Sequence, residues 1–170
     1  MLEKRENEVK LEEVEPKEFE WQVSDEGFFV VKLLEGVIKY MDSRQIQRIL
    51  REVDNNNLAT ALKGLSRAGQ DCFLNNLSAR LSTMIREDMA FMGPITTASC
   101  AESATVIMGT IVDLMNKGEF VCNDTDIIRK LLELFRVDSE GASNQDDIKM
   151  LVELEELFRK YKSIRRRIIY

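Results

Sequence analysis

Hydrophobic positions recur at helical spacing through most of the chain, and the gaps between them hold residues that start or stop helices. From Gly27 the run FFVVKLLEGVIKYM puts Phe29, Leu33 or Leu34, Val37 and Tyr40 or Met41 on one side of a helix. A β-strand over Phe28–Val31 is the competing reading. Asp42 and Ser43 offer an N-cap to SRQIQRILREV, where Ile46, Ile49, Leu50 and Val53 keep the i, i+3, i+4, i+7 rhythm. Asp54-Asn55-Asn56-Asn57 reads as a break made of turn-forming residues. Leu58 to Leu65 reads as a short helix with Gly64 near its end. Ser66 caps the next helix, which turns Cys72, Phe73 and Leu77 inward. Ser78 caps a third, which stops at Gly93-Pro94 because proline has no N–H with which to continue.

The longest helical pattern runs from Thr96 to Lys117. Ser99 with Glu102 fits a capping box, and Ala104, Ile107, Met108, Ile111, Val112 and Met115 form an apolar stripe of the kind that faces a core. Small Ala98, Ala101 and Gly109 leave room for a neighbour to approach closely. Gly118 ends the helix, and Glu119–Cys122 reads as an extended return. Residues 124–137 and about 146–164 then read as a helical hairpin around the turn SEGASNQ. Its residues Leu151, Leu154, Phe158 and Tyr161 are spaced to pack against the body or against a second copy. Short helices joined by caps of two or three residues predict an all-α, armadillo-like bundle with an added C-terminal hairpin. No repeat of fixed period emerges.

Charge divides the chain into three parts. Residues 1–22 form an acidic segment expected to be a solvated tail, 26–122 the helical domain, and 123–170 the hairpin with a basic end. The basic end carries Lys160, Lys162, Arg165, Arg166 and Arg167. It reads as a solvated terminus, with contact to an acidic partner, anionic lipid or nucleic acid, or neutralisation of the acidic N-terminal segment, as the alternatives. The 170 residues are 44% hydrophobic, enough for a core, and the net charge of −6 argues against a nucleic-acid partner. No apolar run of membrane-spanning length stands out, and the opening residues are too charged for a signal peptide. Cys72, Cys100 and Cys122 are widely spaced in apolar surroundings and read as reduced core residues. The chain has no histidine and no glycine-rich phosphate loop. The expectation is no catalysis, no cofactor and no metal.

The third short helix carries the candidate chemistry. At about 100° per residue, Leu81, Ile85, Met89 and Met92 fall on one compact face, while Glu87 returns to within about 20° of Arg80 with Thr83 between them. Arg86 flanks this stripe, and Asp88 lies toward its apolar edge. A basic start and an acidic finish oppose the helix dipole, at about 0.3–1 kcal/mol per exposed charge, so helix stability does not explain the order. The pattern fits either an ordinary solvated face or a surface that meets a partner electrostatically.

The runs IQRILREVDNNNLATALKGL, LNNLSARLSTMIREDMAFMGPI and KGEFV resemble the C-terminal domain of FliG, the bacterial flagellar motor switch protein, from about Ile38 to Val121. The resemblance implies a cytoplasmic, non-catalytic, cofactor-free armadillo-like domain. In the family a charged ridge meets the cytoplasmic loop of the stator and transmits torque, at the cytoplasmic face of the inner membrane in the flagellar basal body. Carried over by position, the ridge falls on Lys63, Arg80, Glu87 and Asp88, while Thr96 stands where the family often has another basic residue. Thr105, Val106 and Gly109 replace a more charged surface, and Lys32-Leu33-Leu34-Glu35 occupies the register of the family's Met-Phe-x-Phe hinge. The FliG domains that attach to the membrane ring and to the other switch-complex proteins are not expected in this chain, so the resemblance implies a stand-alone paralogue. The alternative is a helical adaptor or scaffold outside the motor, binding partners or a second copy through the C-terminal hairpin. Neither reading needs nucleic acid or membrane insertion.

Overall fold

Helix α6 (Thr97–Asn116) is the element the others surround. The computed structural model describes residues 17–22, 24–119 and 166–170. Cys100, Ala104, Ile107, Met108 and Ile111 of α6 are fully buried, and Leu114 nearly so. Each large side chain removed from water in this way contributes about 1.5–3 kcal/mol. The helix begins one turn earlier than the expected capping box. Thr96 is the N-cap, its Oγ1 accepting from Ser99 N–H at 3.1 Å, so Ser99 lies inside the first turn. The other end closes as a Schellman turn: Gly118 (φ 70°) donates to Met115 O, and Glu119 N–H donates to Leu114 O.

α6 also corrects one expectation, because its length and mean hydropathy of 1.2 are those of a membrane-crossing helix. Its apolar side chains are spent on the core instead, and Glu102, Thr105 and Asp113 stand exposed on its outer side.

The covering layer is α1 (Phe28–Ile38), α2 (Ser43–Glu52) and α3 (Asn55–Lys63), all packed on α6. α1 is helical from Phe28, which settles the strand alternative. It springs from Gly27, whose φ of 86° suits glycine; a Cβ there would sit 2.1 Å from the Cβ of Ala101. Ala101 therefore provides the close approach expected of α6's small residues. Gly109 does not, since nothing lies within 4 Å of the position its Cβ would take. Asp42 and Gln45 form a reciprocal capping box on α2.

The Asn55–Asn57 run is the first turn of α3, not a break. Asp54 caps it, accepting from Asn57 N–H at 2.9 Å and from the Asn57 amide at 2.6 Å. The Asn57 side-chain oxygen in turn accepts from Ser103 Oγ of α6 at 3.0 Å. Tertiary pairing thus recruits residues that alone favour turns.

Helices α4 (Arg67–Leu74) and α5 (Ala79–Phe91) are capped by Ser66 and Ser78, as the spacing predicts. Phe73 of α4 is fully buried, while Cys72 and Leu77 are half-buried. Two short strands complete the described fold: β1 (Ile95–Thr96) pairs antiparallel with β2 (Ile168–Ile169), setting Ile95 opposite Ile169.

Both flanking segments pack on this domain. Phe19 and Trp21 lie against the core, and Trp21 Nε1 donates to Gly64 O at 2.7 Å. Glycine is needed at 64, where a Cβ would fall 2.2 Å from Cys100 Sγ. The basic end is not simply solvated. Arg167 donates to Asp25 Oδ2 at 3.1 Å and to Glu20 O at 2.9 Å, and its guanidinium lies over the Phe19 ring at 4.8 Å. Its backbone exchanges hydrogen bonds with Thr97, and Arg166 pairs with Glu26 at 2.7 Å. Two of the terminal cations thus pair with carboxylates just before α1, outside the acidic segment 1–22 that the alternative reading named. Residues 1–16, Cys122, the hairpin helices at 124–137 and 146–164, and Lys160, Lys162 and Arg165 lie outside the described residues.

Two predictions follow from this packing. The Asp25 side chain is fully buried, its Oδ1 has no partner among the described residues, and its Oδ2 accepts from Gln22 N–H at 2.6 Å and from Arg167, the cation that balances its charge. Arg167→Met should lower unfolding stability by about 1.5–3 kcal/mol in urea titrations, held below the cost of breaking a fully buried pair by the partial exposure of Arg167. Burial pushes the Cys100 thiol up to about 12. At about pH 8 a thiol-exchange reagent should label Cys72 in the native protein and Cys100 only after unfolding, as read by peptide mass spectrometry.

Candidate functional site

Helix α5 fully buries only Ile85, leaving most of its surface to solvent. Leu81, Met89 and Met92 pack partly against the core beside it. On the outer side Ala79, Arg80, Thr83, Met84 and Glu87 line a shallow depression of about 520 Å³. The structure therefore brings Arg80, Thr83 and Glu87 together on the face that the spacing predicts. Arg80 and Glu87 stand seven residues apart, about 10.5 Å along the axis, too far to neutralise each other. Among the described residues Arg80, Arg86, Glu87 and Asp88 form no salt bridge. Asp88 is exposed on the second half of the helix. The Thr83 hydroxyl is turned back onto its own helix, donating to Ala79 O at 2.9 Å.

Two residues on this stripe escape a reading based on charge. Met84 is 40% exposed and Phe91 88% exposed. They are seven residues apart, and Phe91 comes round to within about 20° of Arg80. That spacing was the available signal, but both residue types are more common in cores. The stripe thus carries an aromatic and a thioether side chain, residue types that anchor protein interfaces, among charges that have no ion pair within the described residues.

Lys63 lies elsewhere. It is the last residue of α3, which packs against α5, and its Nζ donates to Gly93 O just beyond the C-terminal end of α5. Thr60 Oγ1, one turn earlier, meets Met92 Sδ at 3.7 Å. Lys63 lines a second groove of about 790 Å³ together with Arg86 and Met89, and Arg80 is not among its lining residues. Half-burial there holds the Lys63 ammonium below the usual lysine range. Among the described residues no three His, Cys, Asp or Glu side chains are grouped closely enough to hold a metal ion.

The fold is thus a short-helix bundle wrapped on α6, with a lightly anchored charged helix ending in Gly-Pro. The model of the FliG C-terminal domain matches residues 32–122. The chain belongs to the FliG C-terminal domain family. The flagellar motor switch protein FliG of Borreliella burgdorferi is 40% identical over 84 residues, covering 49% of this chain and 24% of that protein. The FliG of Thermotoga maritima is 35% identical over 89 residues, 52% of this chain and 26% of that protein. The Bacillus subtilis FliG is 35% identical over 81 residues, 48% of this chain and 24% of that protein. The matched region thus spans about a quarter of these curated relatives. All of α2 to α6, with the α5 stripe and Lys63, falls inside the FliG family match, whereas residues 17–22 and β2 fall outside it.

The displaced Lys63 titration is directly measurable. Side-chain NMR should place its ammonium below the 10.5 of an unperturbed lysine. Below its folded value this group opposes folding, because the native state must hold a poorly hydrated cation. That penalty should fade as pH rises from the folded value toward 10.5, so this group's contribution makes the fold more stable with rising pH in that window.

Proposed function

We propose that this chain is a non-enzymatic interaction module that presents the outer stripe of α5 to a protein of a flagellar motor. Arg80, Glu87 and Asp88 supply the charge pattern, Met84 and Phe91 supply apolar anchorage, and Lys63 borders the C-terminal end of the helix. The partner class is a stator cytoplasmic loop carrying complementary charges, met at the cytoplasmic side of the basal body. The observation that carries this reading is the composition of the stripe. Arg80, Glu87 and Asp88 form no ion pair among the described residues and share with a phenylalanine left 88% exposed a helix that spends only Ile85 fully on the core. An exposed aromatic on a lightly anchored charged helix has little to offer the isolated fold. Membership of the FliG C-terminal domain family, and the relatives' being flagellar motor switch proteins, point the stripe toward a motor.

The double reversal Arg80→Glu/Glu87→Arg preserves net charge and touches only exposed positions. Thermal unfolding should stay at the wild-type midpoint. Binding to motor proteins should weaken by about tenfold or more, with loss of swimming in the source cell. Phe91→Ser should weaken the same binding without a change in salt dependence. Unchanged motility and unchanged binding in both variants would remove α5 as the contact.

A further inference from the structure

The groove beside Lys63 is a separate feature of the molecule, and it goes beyond the α5 stripe. Part of its lining comes from outside the family match: Lys17, Glu18 and Phe19 ahead of α1, and Tyr170 after β2. The rest includes Lys63, Arg67, Arg86 and Met89 from α3 to α5. The outer wall is firmly held. Phe19 meets Trp21 edge-on at 5.0 Å, Trp21 is bonded to Gly64 O, and Arg167 ties Phe19 to the buried Asp25. Ile169, next to Tyr170, is buried and paired with Ile95 of β1. Both flanks are thereby fixed at the rim, and Tyr170 is left 91% exposed.

The electrostatics of this groove oppose those of the chain. The whole protein is acidic, at −6, yet the groove gathers four basic side chains against two carboxylates, Glu18 and Asp71. Glu18 is already engaged, accepting from Arg67 N–H at 2.8 Å at the start of α4. Lys63 uses one of its three donors on Gly93 O. Leu65, Met89 and Pro94 set apolar surface between the cations.

We infer that this groove is a docking site for an acidic peptide segment of another protein, one in which carboxylates alternate with aliphatic or aromatic side chains. The carboxylates meet Lys17, Lys63 and Arg86, and an apolar residue rests against Met89 and the Tyr170 ring. The two flanks convert one side of the FliG C-terminal domain into a recognition groove that the matched region alone would not complete. An extended or helical segment of about ten residues suits such a surface.

The test uses the full chain and a fluorescein-labelled peptide of about ten residues alternating Glu with Leu and Phe, read by fluorescence anisotropy at low salt. The counterpart with Lys in place of Glu is the control. The Glu peptide should bind saturably and the Lys peptide should not. Arg86→Glu should weaken binding about tenfold or more, and Tyr170→Ala several-fold, with circular dichroism unchanged because both residues are exposed. Arg51→Glu changes net charge by the same amount at an exposed position of α2 that lines neither surface, and should leave the affinity within about twofold. Equal binding of the two peptides, equal weakening by Arg51→Glu and Arg86→Glu, or no binding at all would overturn the proposal. So would sedimentation showing a dimer that Arg86→Glu dissociates, since the groove would then be occupied by a second copy. Failure here leaves the α5 stripe untouched, because that surface is read by Arg80, Glu87 and Phe91 variants.

Discussion

Helix α6 carries Ala104, Ile107, Met108 and Ile111 with no exposure, and these side chains have to be covered before the rest of the chain can be placed. Three short helices do the covering, and two glycines set how near they come. Gly27 lets the start of α1 rest on Ala101, and Gly64 lets the end of α3 rest on Cys100. Both approaches leave no room for a methyl group. The spacing between α6 and its neighbours is therefore a steric constraint as much as a hydrophobic one. Thr96 and Thr97 extend that constraint outward, since one caps α6 and the other anchors the backbone of Arg167.

A core organised in this way makes unequal demands on its helices. α3 buries Leu58, Ala59, Ala61 and Leu62, whereas α5 fully buries Ile85 alone. The freedom of a helix to carry surface chemistry runs inversely to what the core requires of it. α5 can carry opposite charges in the order its own dipole disfavours, along with an exposed Phe91, because its position is secured by Ile85 and by partial contacts of Leu81, Met89 and Met92. Lys63 sits at the meeting point of the two regimes, on a buried helix but reaching the carbonyl that follows the exposed one.

The flanks add a layer outside the FliG C-terminal domain proper. Arg167 links the two ends by an ion pair to buried Asp25, a hydrogen bond to Glu20 O and a contact with the Phe19 ring. A single cation serving three partners from one preceding segment couples the placement of residues 17–26 and 166–170, so these flanking segments and the domain share one packing unit. The partial exposure of Arg167 keeps its desolvation modest while Asp25 gains a partner.

Local chemistry determined much of this from the sequence alone. The caps at Asp42, Ser66 and Ser78, the inward stripe of α6, the stop at Gly93-Pro94 and the shared face of Arg80, Thr83 and Glu87 depend on residues within a turn or two of one another. Periodicity reports such relations directly. The FliG C-terminal domain resemblance was legible for the same reason, being carried by unbroken runs of residues. Only the tertiary structure decided the rest, because it turns on pairs far apart in the chain. Asn57 becomes helical with Ser103 as its side-chain partner on α6, Thr96 becomes a cap while it pairs beside Ile168, and Arg167 finds Asp25 across almost the whole sequence. The same separation divides the charged residues. Arg80 and Glu87 share a surface because one helix carries both, while Lys63 joins Arg86 and Tyr170 in another groove because folding, not spacing, brings those three together.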